Sequence, residues 1–519
     1  MLRATRSFPR NVLMRHSNVG PTEPASVIIL LADGARPDVL RRAMDGGSLP
    51  ALAQLRDEGT LTTVTTAFPS VTGPAYAPFL LGRYPGPLGL PGLRWFDRRR
   101  ESRGLGNCRS YVGAEIRHVD SDLEPGAPTL FELAGPALGA LSVIGRGLRR
   151  SQQIGRGVGF IARTARTHFT GNVAGWLEID RRISREFARA IRDQNPRVAF
   201  AALPGIDKTS HATGHDSPLV HEAMRIVDET AAEIRRQAEE AGRWEWMQLW
   251  VVSDHGHSPV TAHDDLADLL RSWGLRTIAH PWTFVGGRDA AVMVSGNAMA
   301  HIYLELDRRH RPWWPQLESR WSHLAESLLD RPSVDLMILP HTDDLFEVRS
   351  RRRGTAMIAA RNGEYSYRPV SGDPLGIGSH ESLSDAAAHD VTLESDYPDA
   401  IVQIARLAGA PRSGEVILSA AREWDFRAQY EPIPHVSTHG ALHREHMLVP
   451  LLTNRPITRA ARRTVDVMPS ALAALGIEIP PGLDGATFID PSIALEMRRN
   501  AHLARQPADD DRDDQSAVA

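Results

Sequence analysis

Four short polar clusters in this chain carry side chains able to hold divalent cations: Asp33; Asp207 with His211; Asp254 with His255; and His439. A fifth stretch, Phe68-Pro69-Ser70-Val71-Thr72, supplies hydroxyls. Carboxylate oxygen and imidazole nitrogen suit zinc first, with manganese or iron as alternatives. Three carboxylates and three imidazoles are enough for two ions, and ions about 4 Å apart clamp the attacking and leaving oxygens of an in-line displacement at phosphorus. A threonine hydroxyl held by one of them becomes an activated nucleophile. Each cluster alone says little, because an Asp after a strand commonly caps a helix or turn. With 21 histidines in the chain, a lone His is ordinarily a surface residue. Asp207 and His211 share a face only if their spacing is helical. The conjunction carries the argument.

That conjunction depends on elements that deliver the clusters to one place. Ser26-Val27-Ile28-Ile29-Leu30-Leu31 leads to Asp33, the run RVAFAAL at 197–203 leads to Asp207, and Leu249-Trp250-Val251-Val252 leads to Asp254. Unbroken apolar runs of this length read as strands buried on both faces of a parallel sheet, and open α/β sheets bind ligands at the carboxyl ends of their strands. Gly256 lets the backbone turn sharply off its strand. Helical patterns at 50–58, 179–193, 217–241 and 464–475 supply the flanking layers.

The expected fold class is therefore α/β, a mostly parallel sheet flanked by helices, with a smaller α+β insertion. The expected divisions are a loosely ordered segment at 1–25, a discontinuous core at 26–284 and 396–495, the insertion at 285–395, and a disordered acidic tail at 506–519. Within the insertion, AAVMVSGNAMAHIYLEL at 290–306 alternates and predicts a hairpin with exposed faces. The Gly/Arg-rich stretch at 147–172 has weak periodicity and is expected to form a lid or a surface insertion.

Composition sets outer bounds. The chain has 519 residues, 42% hydrophobic and 24% charged, with 60 basic and 63 acidic residues and a net charge of −3. These are values of a globular enzyme, and they provide no global basic field for nucleic acid. A single cysteine, Cys108, rules out an intrachain disulfide framework. No apolar core of signal-peptide length and no run of about 18 apolar residues is present. A cytoplasmic protein with no membrane partner is expected.

Taken together, the motifs FPSVT at 68–72, DKTSH at 207–211, SDHG at 253–256 and STHG at 437–440 resemble those of the alkaline phosphatase superfamily, in its type I phosphodiesterase/nucleotide pyrophosphatase branch. The resemblance spans about 25–490. It implies an alkaline-phosphatase-like core and two divalent ions, zinc first, one held by Asp33, Thr72, Asp254 and His255 and the other by Asp207, His211 and His439. It also implies attack on phosphorus by Thr72 through a phospho-threonine intermediate, with a small phosphate ester as substrate. Ser70 is the other candidate nucleophile, and the family pattern favours Thr72 over it. His215, His257, His443 and His446 lie beside the motifs as outer partners, the last two at a spacing that suits a solvent-facing helix.

The chain departs from the branch where substrate is bound. Ala75 stands where an Asn is usual, and the region 88–94 lacks the expected Asn but contains Arg94, whose guanidinium suits phosphate oxygens or a surface salt bridge equally. A phosphomonoesterase or a phosphonate hydrolase of the same superfamily is the alternative, and an inactive metal-binding scaffold a further one. A sulfatase is disfavoured because the Cys108 context lacks the required motif, and a membrane-bound phosphoethanolamine transferase for want of spanning segments.

Overall fold

The computed structural model describes residues 25–99, 107–111, 114–281, 283, 289–427 and 435–490. The segments expected to be loose at 1–25 and disordered at 506–519 lie, but for residue 25, outside the described residues. Two sheets dominate. The first has seven strands in the order Thr60–Thr65, Leu448–Thr453, Met247–Val252, Ser26–Ala32, Val198–Leu203, Ala137–Ala140, Gln153–Ile154. The last five run parallel, and Leu448–Thr453 pairs antiparallel on both sides. This is the mostly parallel α/β sheet that the apolar runs predict.

The alternation of a strand explains why this sheet is double-faced. In Ser26–Ala32, Val27, Ile29 and Leu31 enter a core beneath the Ala77–Leu81 and Val467–Leu475 helices. Ile28, Leu30 and Ala32 enter a second core beneath the Ala174–Gln194 and Pro218–Glu240 helices. None of these six side chains keeps more than 1% of its surface exposed. Each large aliphatic one contributes about 1.5–3 kcal/mol by burial, so the central strand is held from both sides.

The second sheet has nine strands, mostly antiparallel, in the order Thr277–Ala279, Ala290–Ser295, Met299–Leu304, Val416–Ala420, Val334–Pro340, Leu345–Ser350, Gly354–Arg361, Glu364–Gly372, His380–Ser384. The predicted hairpin forms as Ala290–Ser295 against Met299–Leu304, but its faces are buried, contrary to expectation. Ala290, Val292, Ala300 and Ile302 pack with Trp314, Trp321 and Leu324, beneath the Glu318–Leu329 helix. Ala291, Met293 and Tyr303 face the core of the first sheet. The hairpin is the seam between the two sheets, so both of its sides exclude water. The 147–172 stretch is also more ordered than its weak periodicity suggests, forming a helix at Val158–Phe169.

Candidate metal centre

Asp33 directly follows Ser26–Ala32, and Gly34 then turns the chain with φ +80. Its backbone N–H donates to Asp254 Oδ1 at 3.3 Å, tying two strand ends together. A Cβ at Gly34 would press on the His257 ring at 3.0 Å, so the missing side chain makes room for that imidazole. Asp254 and His255 follow Met247–Val252, and Gly256 lies against the Glu445 carbonyl with no space for a Cβ. Asp207 and His211 lie one turn apart on the Gly205–Thr213 helix, which puts His211 Nε2 3.2 Å from Asp207 Oδ1. His439 follows the two-residue strand Ser437–Thr438.

These residues converge. His255 Nε2 lies 3.2 Å from Asp33 Oδ1 and 3.6 Å from Asp254 Oδ2. Thr72 Oγ1 lies 3.2 Å from Asp33 Oδ1 and 3.3 Å from His255 Nε2. His439 Nε2 lies 3.4 Å from Asp207 Oδ1, and the His255 and His439 rings stack at 3.6 Å. All seven side chains named from sequence therefore meet at one sheet edge, every one buried except half-buried Thr72. Ser70 does not join them, since its hydroxyl donates to the Ala441 carbonyl at 3.1 Å.

Hydrogen bonds on the far side of each ring decide what the cluster can hold. His211 Nδ1 donates to the Ser437 carbonyl at 2.9 Å, and His439 Nδ1 to the Ser70 carbonyl at 2.9 Å. A carbonyl can only accept, so both neutral rings keep their Nε2 lone pair for Asp207. His257 behaves likewise: Ser437 Oγ gives its proton to the Ser258 carbonyl at 3.0 Å and accepts from His257 Nδ1 at 3.2 Å. His257 Nε2 thus presents its lone pair 3.0 Å from Asp207 Oδ1. Three imidazole lone pairs aimed at one carboxylate oxygen repel one another unless a cation lies among them. Asp254 Oδ2 is buried with no hydrogen-bond partner, a second oxygen with a lone pair to offer a cation. Two overlapping sets, Asp207/His255/His257/His439 and Asp33/Asp254/His255, bring one ligand atom each to within 4.8 Å of one another. The residues fit divalent metal.

Electrostatics within the cluster point the same way. Burial and then the Asp33 charge push the Asp254 carboxyl well above its ordinary value. Burial opposes charge on His255, yet Asp254 and Asp33 outweigh it and raise its imidazolium to about 9. Burial would also raise Asp207, but the Lys208 charge beside it holds it well below the carboxylate range. Burial, followed by the His255 charge, pushes His439 well down.

Several contributors were not apparent from the linear pattern. Lys208 donates to Asp207 Oδ2 at 2.7 Å and is the only lysine among 60 basic residues. That singularity next to a candidate ligand was the available signal. Tyr76 donates to Asp33 Oδ2 at 2.9 Å, fixing its orientation. His257, expected only as an outer partner, reaches the cluster itself. His443 and His446 do not face solvent: both are buried, His443 Nε2 donating to the Ala420 carbonyl and His446 Nε2 to the Ser258 hydroxyl. His446 accepts the Ala441 N–H and so braces the segment after His439. His215 pairs with none of the seven, and burial, followed by the Arg36 charge, lowers its pKa. Arg94 is buried in a two-stranded ribbon, Arg94–Phe96 against Cys108–Ser110. That ribbon rests on Ser295 through the Leu93 N–H, beside the Gly296 turn that abuts His439.

With this geometry established, comparison with known proteins is informative. The family model for type I phosphodiesterase / nucleotide pyrophosphatase matches residues 27–442. An uncharacterised pyrophosphatase/phosphodiesterase of Schizosaccharomyces pombe is 23% identical over 283 residues, 51% of either chain, so this chain spans about half the length of that curated relative. Among solved structures, murine ectonucleotide pyrophosphatase/phosphodiesterase 5 superposes with a TM-score of 0.55 at 13% identity, covering 89% of this chain and 97% of that one. Phosphonoacetate hydrolase of Sinorhizobium meliloti does so with a TM-score of 0.51 at 16% identity, covering 87% and 95%. At such identities the likeness concerns the fold.

Proposed function

The chain belongs to the type I phosphodiesterase/nucleotide pyrophosphatase family of the alkaline phosphatase superfamily, and from that premise we propose that it hydrolyses phosphoric esters at the Asp/His cluster. The observation that carries this reading is the convergence of imidazole lone pairs on Asp207 Oδ1, a few ångströms from a threonine hydroxyl lodged between Asp33 and His255. Asp33, Thr72, Asp254 and His255 would hold one divalent ion, and Asp207, His211 and His439 the other. Two such ions, zinc before manganese or iron, would neutralise the phosphoryl oxygens and acidify the Thr72 hydroxyl. Thr72 Oγ then attacks phosphorus as the ester oxygen departs, and water cleaves the resulting phospho-threonine. Tyr76, bonded to Asp33, keeps that carboxylate turned toward Thr72. The 285–395 segment serves in this reading as a cap, its Gly296–Asn297 turn lying against His439.

A monoester or phosphonate substrate is the second reading, and Lys208 favours it. Its side chain is 27% exposed, and the ammonium beside Asp207 adds fixed positive charge, which stabilises a dianion more than the single charge of a diester. The test is turnover of p-nitrophenyl phosphate and bis-p-nitrophenyl phosphate by zinc-loaded protein. Thr72→Ala should lower it by on the order of 10⁴-fold or more, as nucleophile removal does elsewhere. Undiminished turnover in that variant removes Thr72 from the mechanism. Bound zinc with no turnover on either ester turns the reading toward an inactive metal-binding scaffold.

A further inference from the structure

The Val158–Phe169 helix lies on the outside of the molecule with its polarity reversed. It packs on the Ala174–Gln194 helix through Phe160 and Thr167, its only buried residues, with the Arg182 guanidinium 5.6 Å over the Phe160 ring. On the opposite side Val158, Ala162, Ala165 and Phe169 recur at the spacing of a single helical face, with Ile161 beside them. Val158 is 85% exposed, Phe169 75% and Ile161 54%. These side chains stand clear of the surface and form no groove. Helices of globular proteins turn such a stripe inward, so an outward one marks a surface built for contact.

Along the chain to either side of the stripe the charge has one sign. Between Glu132 and Glu178 the chain contains no Asp or Glu, but it contains Arg146, Arg149, Arg150, Arg156, Arg163 and Arg166. Arg146 pairs with Glu132, and Arg156 donates to the Ser142 and Val143 carbonyls. Among the described residues Arg149, Arg150, Arg163 and Arg166 pair with no carboxylate, although arginine–carboxylate pairs are common over the rest of the surface. In a chain of net charge −3 this is an acid-free, basic stretch of sequence that contains the apolar stripe.

We propose that the outward face of this helix docks on an anionic lipid surface, lying in the plane of the interface with Val158, Ile161 and Phe169 inserted and the arginines on lipid phosphates. A helix with an apolar face edged by arginine is the form that binds this interface without spanning it, and no described helix is long and apolar enough to cross a membrane. A second copy of the chain fits poorly, since it would set unpaired arginines against unpaired arginines. A ridge of separate protruding side chains also suits a deformable interface better than a rigid partner. The membrane partner is invisible in composition, because net charge averages the field away and no helix spans.

The test is co-sedimentation of the full chain with vesicles of phosphatidylcholine alone or mixed with phosphatidylglycerol. Binding is expected to the mixed vesicles only and to fall as salt rises. Arg163→Gln with Arg166→Gln should lower partitioning by on the order of 30-fold, and Phe169→Ser by about tenfold. These side chains are exposed and outside the metal cluster, so hydrolysis of a soluble ester should stay at the wild-type level, which also reports folding. Wild-type protein remaining in the supernatant, or variants that sediment as the wild type does, overturns the proposal. So does a lipid-free dimer that Phe169→Ser dissociates, which assigns the face to a second copy.

Discussion

Two buried charge clusters within this molecule are built on opposite principles. At Arg463 and Asp399 the charges complete each other: Arg463 Nε and Nη2 donate to the two Asp399 oxygens at 2.7 and 2.8 Å, and Gln403 adds a bond at 2.7 Å. Asp385 takes a further guanidinium nitrogen. Burial opposes the Arg463 charge, but Asp399 outweighs it and holds the guanidinium well above its ordinary value. At the candidate metal centre three carboxylates crowd together, Asp254 Oδ2 has no hydrogen-bond partner, and the Lys208 ammonium donates to Asp207. A buried charge paired within the chain is part of the scaffold. Buried like charges with too few hydrogen-bond partners are a site suited to positive charge the chain does not encode. Burial alone does not separate the two; the balance of partners does.

The comparison breaks most sharply at Asp254. Asp254→Asn should have opposite effects in the two states of the protein. In the metal-loaded enzyme it removes a ligand, and turnover should fall by more than the 10–100-fold typical of an outer-shell partner. In the metal-free protein it should raise the melting temperature. The sign follows from the raised Asp254 carboxyl: a folded-state value above the unfolded one makes the ionised form a cost, growing as pH rises above the unfolded value. A metal-free variant that melts below the wild type at pH 8 contradicts the idea of a frustrated cluster.

Arg463→Met should do the reverse. It leaves Asp399 buried and uncompensated, which costs about 3–5 kcal/mol of stability, while specific activity per folded molecule holds. Denaturant unfolding measures the first and active-site titration the second. A loss below about 1 kcal/mol would mark the pair as no better than a surface one.

His257 tests where the metal set ends. His257→Ala should weaken one of two zinc ions by about 10–100-fold in chelator competition, with far-ultraviolet circular dichroism unchanged. Unaltered affinity for both ions would leave His257 as packing against Gly34. The smallest effect is a slope. Because His255 in the metal-free protein is raised to about 9, an incoming ion must displace its proton, so apparent zinc affinity should rise by up to about tenfold per pH unit below that value and level off above it. A flat profile from pH 6 to 8 removes His255 from the ligands.

Asp33, Thr72, Asp207, His211, Asp254, His255 and His439 could all be named before any coordinates, because each closes an apolar run or a turn whose periodicity is local. The parallel sheet was legible for the same reason. The 290–306 hairpin misled, since alternation records that a strand has two faces but not that Trp321 will cover one and Tyr303 will turn the other toward a second core. His443 and His446 misled in the same way, their helical spacing being satisfied inside the protein. The Val158–Phe169 helix lies in a stretch whose weak periodicity gave no helix, and only packing shows that its apolar side faces out.

The sequence by itself determined the chemistry on offer: which residue types stand at strand ends, one lysine among 60 basic residues, and an acid-free stretch carrying six arginines. Only the tertiary structure decided how that chemistry is assembled. It set His257, a neighbour by number, with its lone pair 3.0 Å from Asp207, fifty residues away, and left Asp254 Oδ2 without the hydrogen-bonded cation that Asp399 receives from Arg463. Proton direction, partner balance and outward face are relations between distant segments, fixed when parallel strands align their carboxyl ends and helices choose a side. No local pattern encodes them.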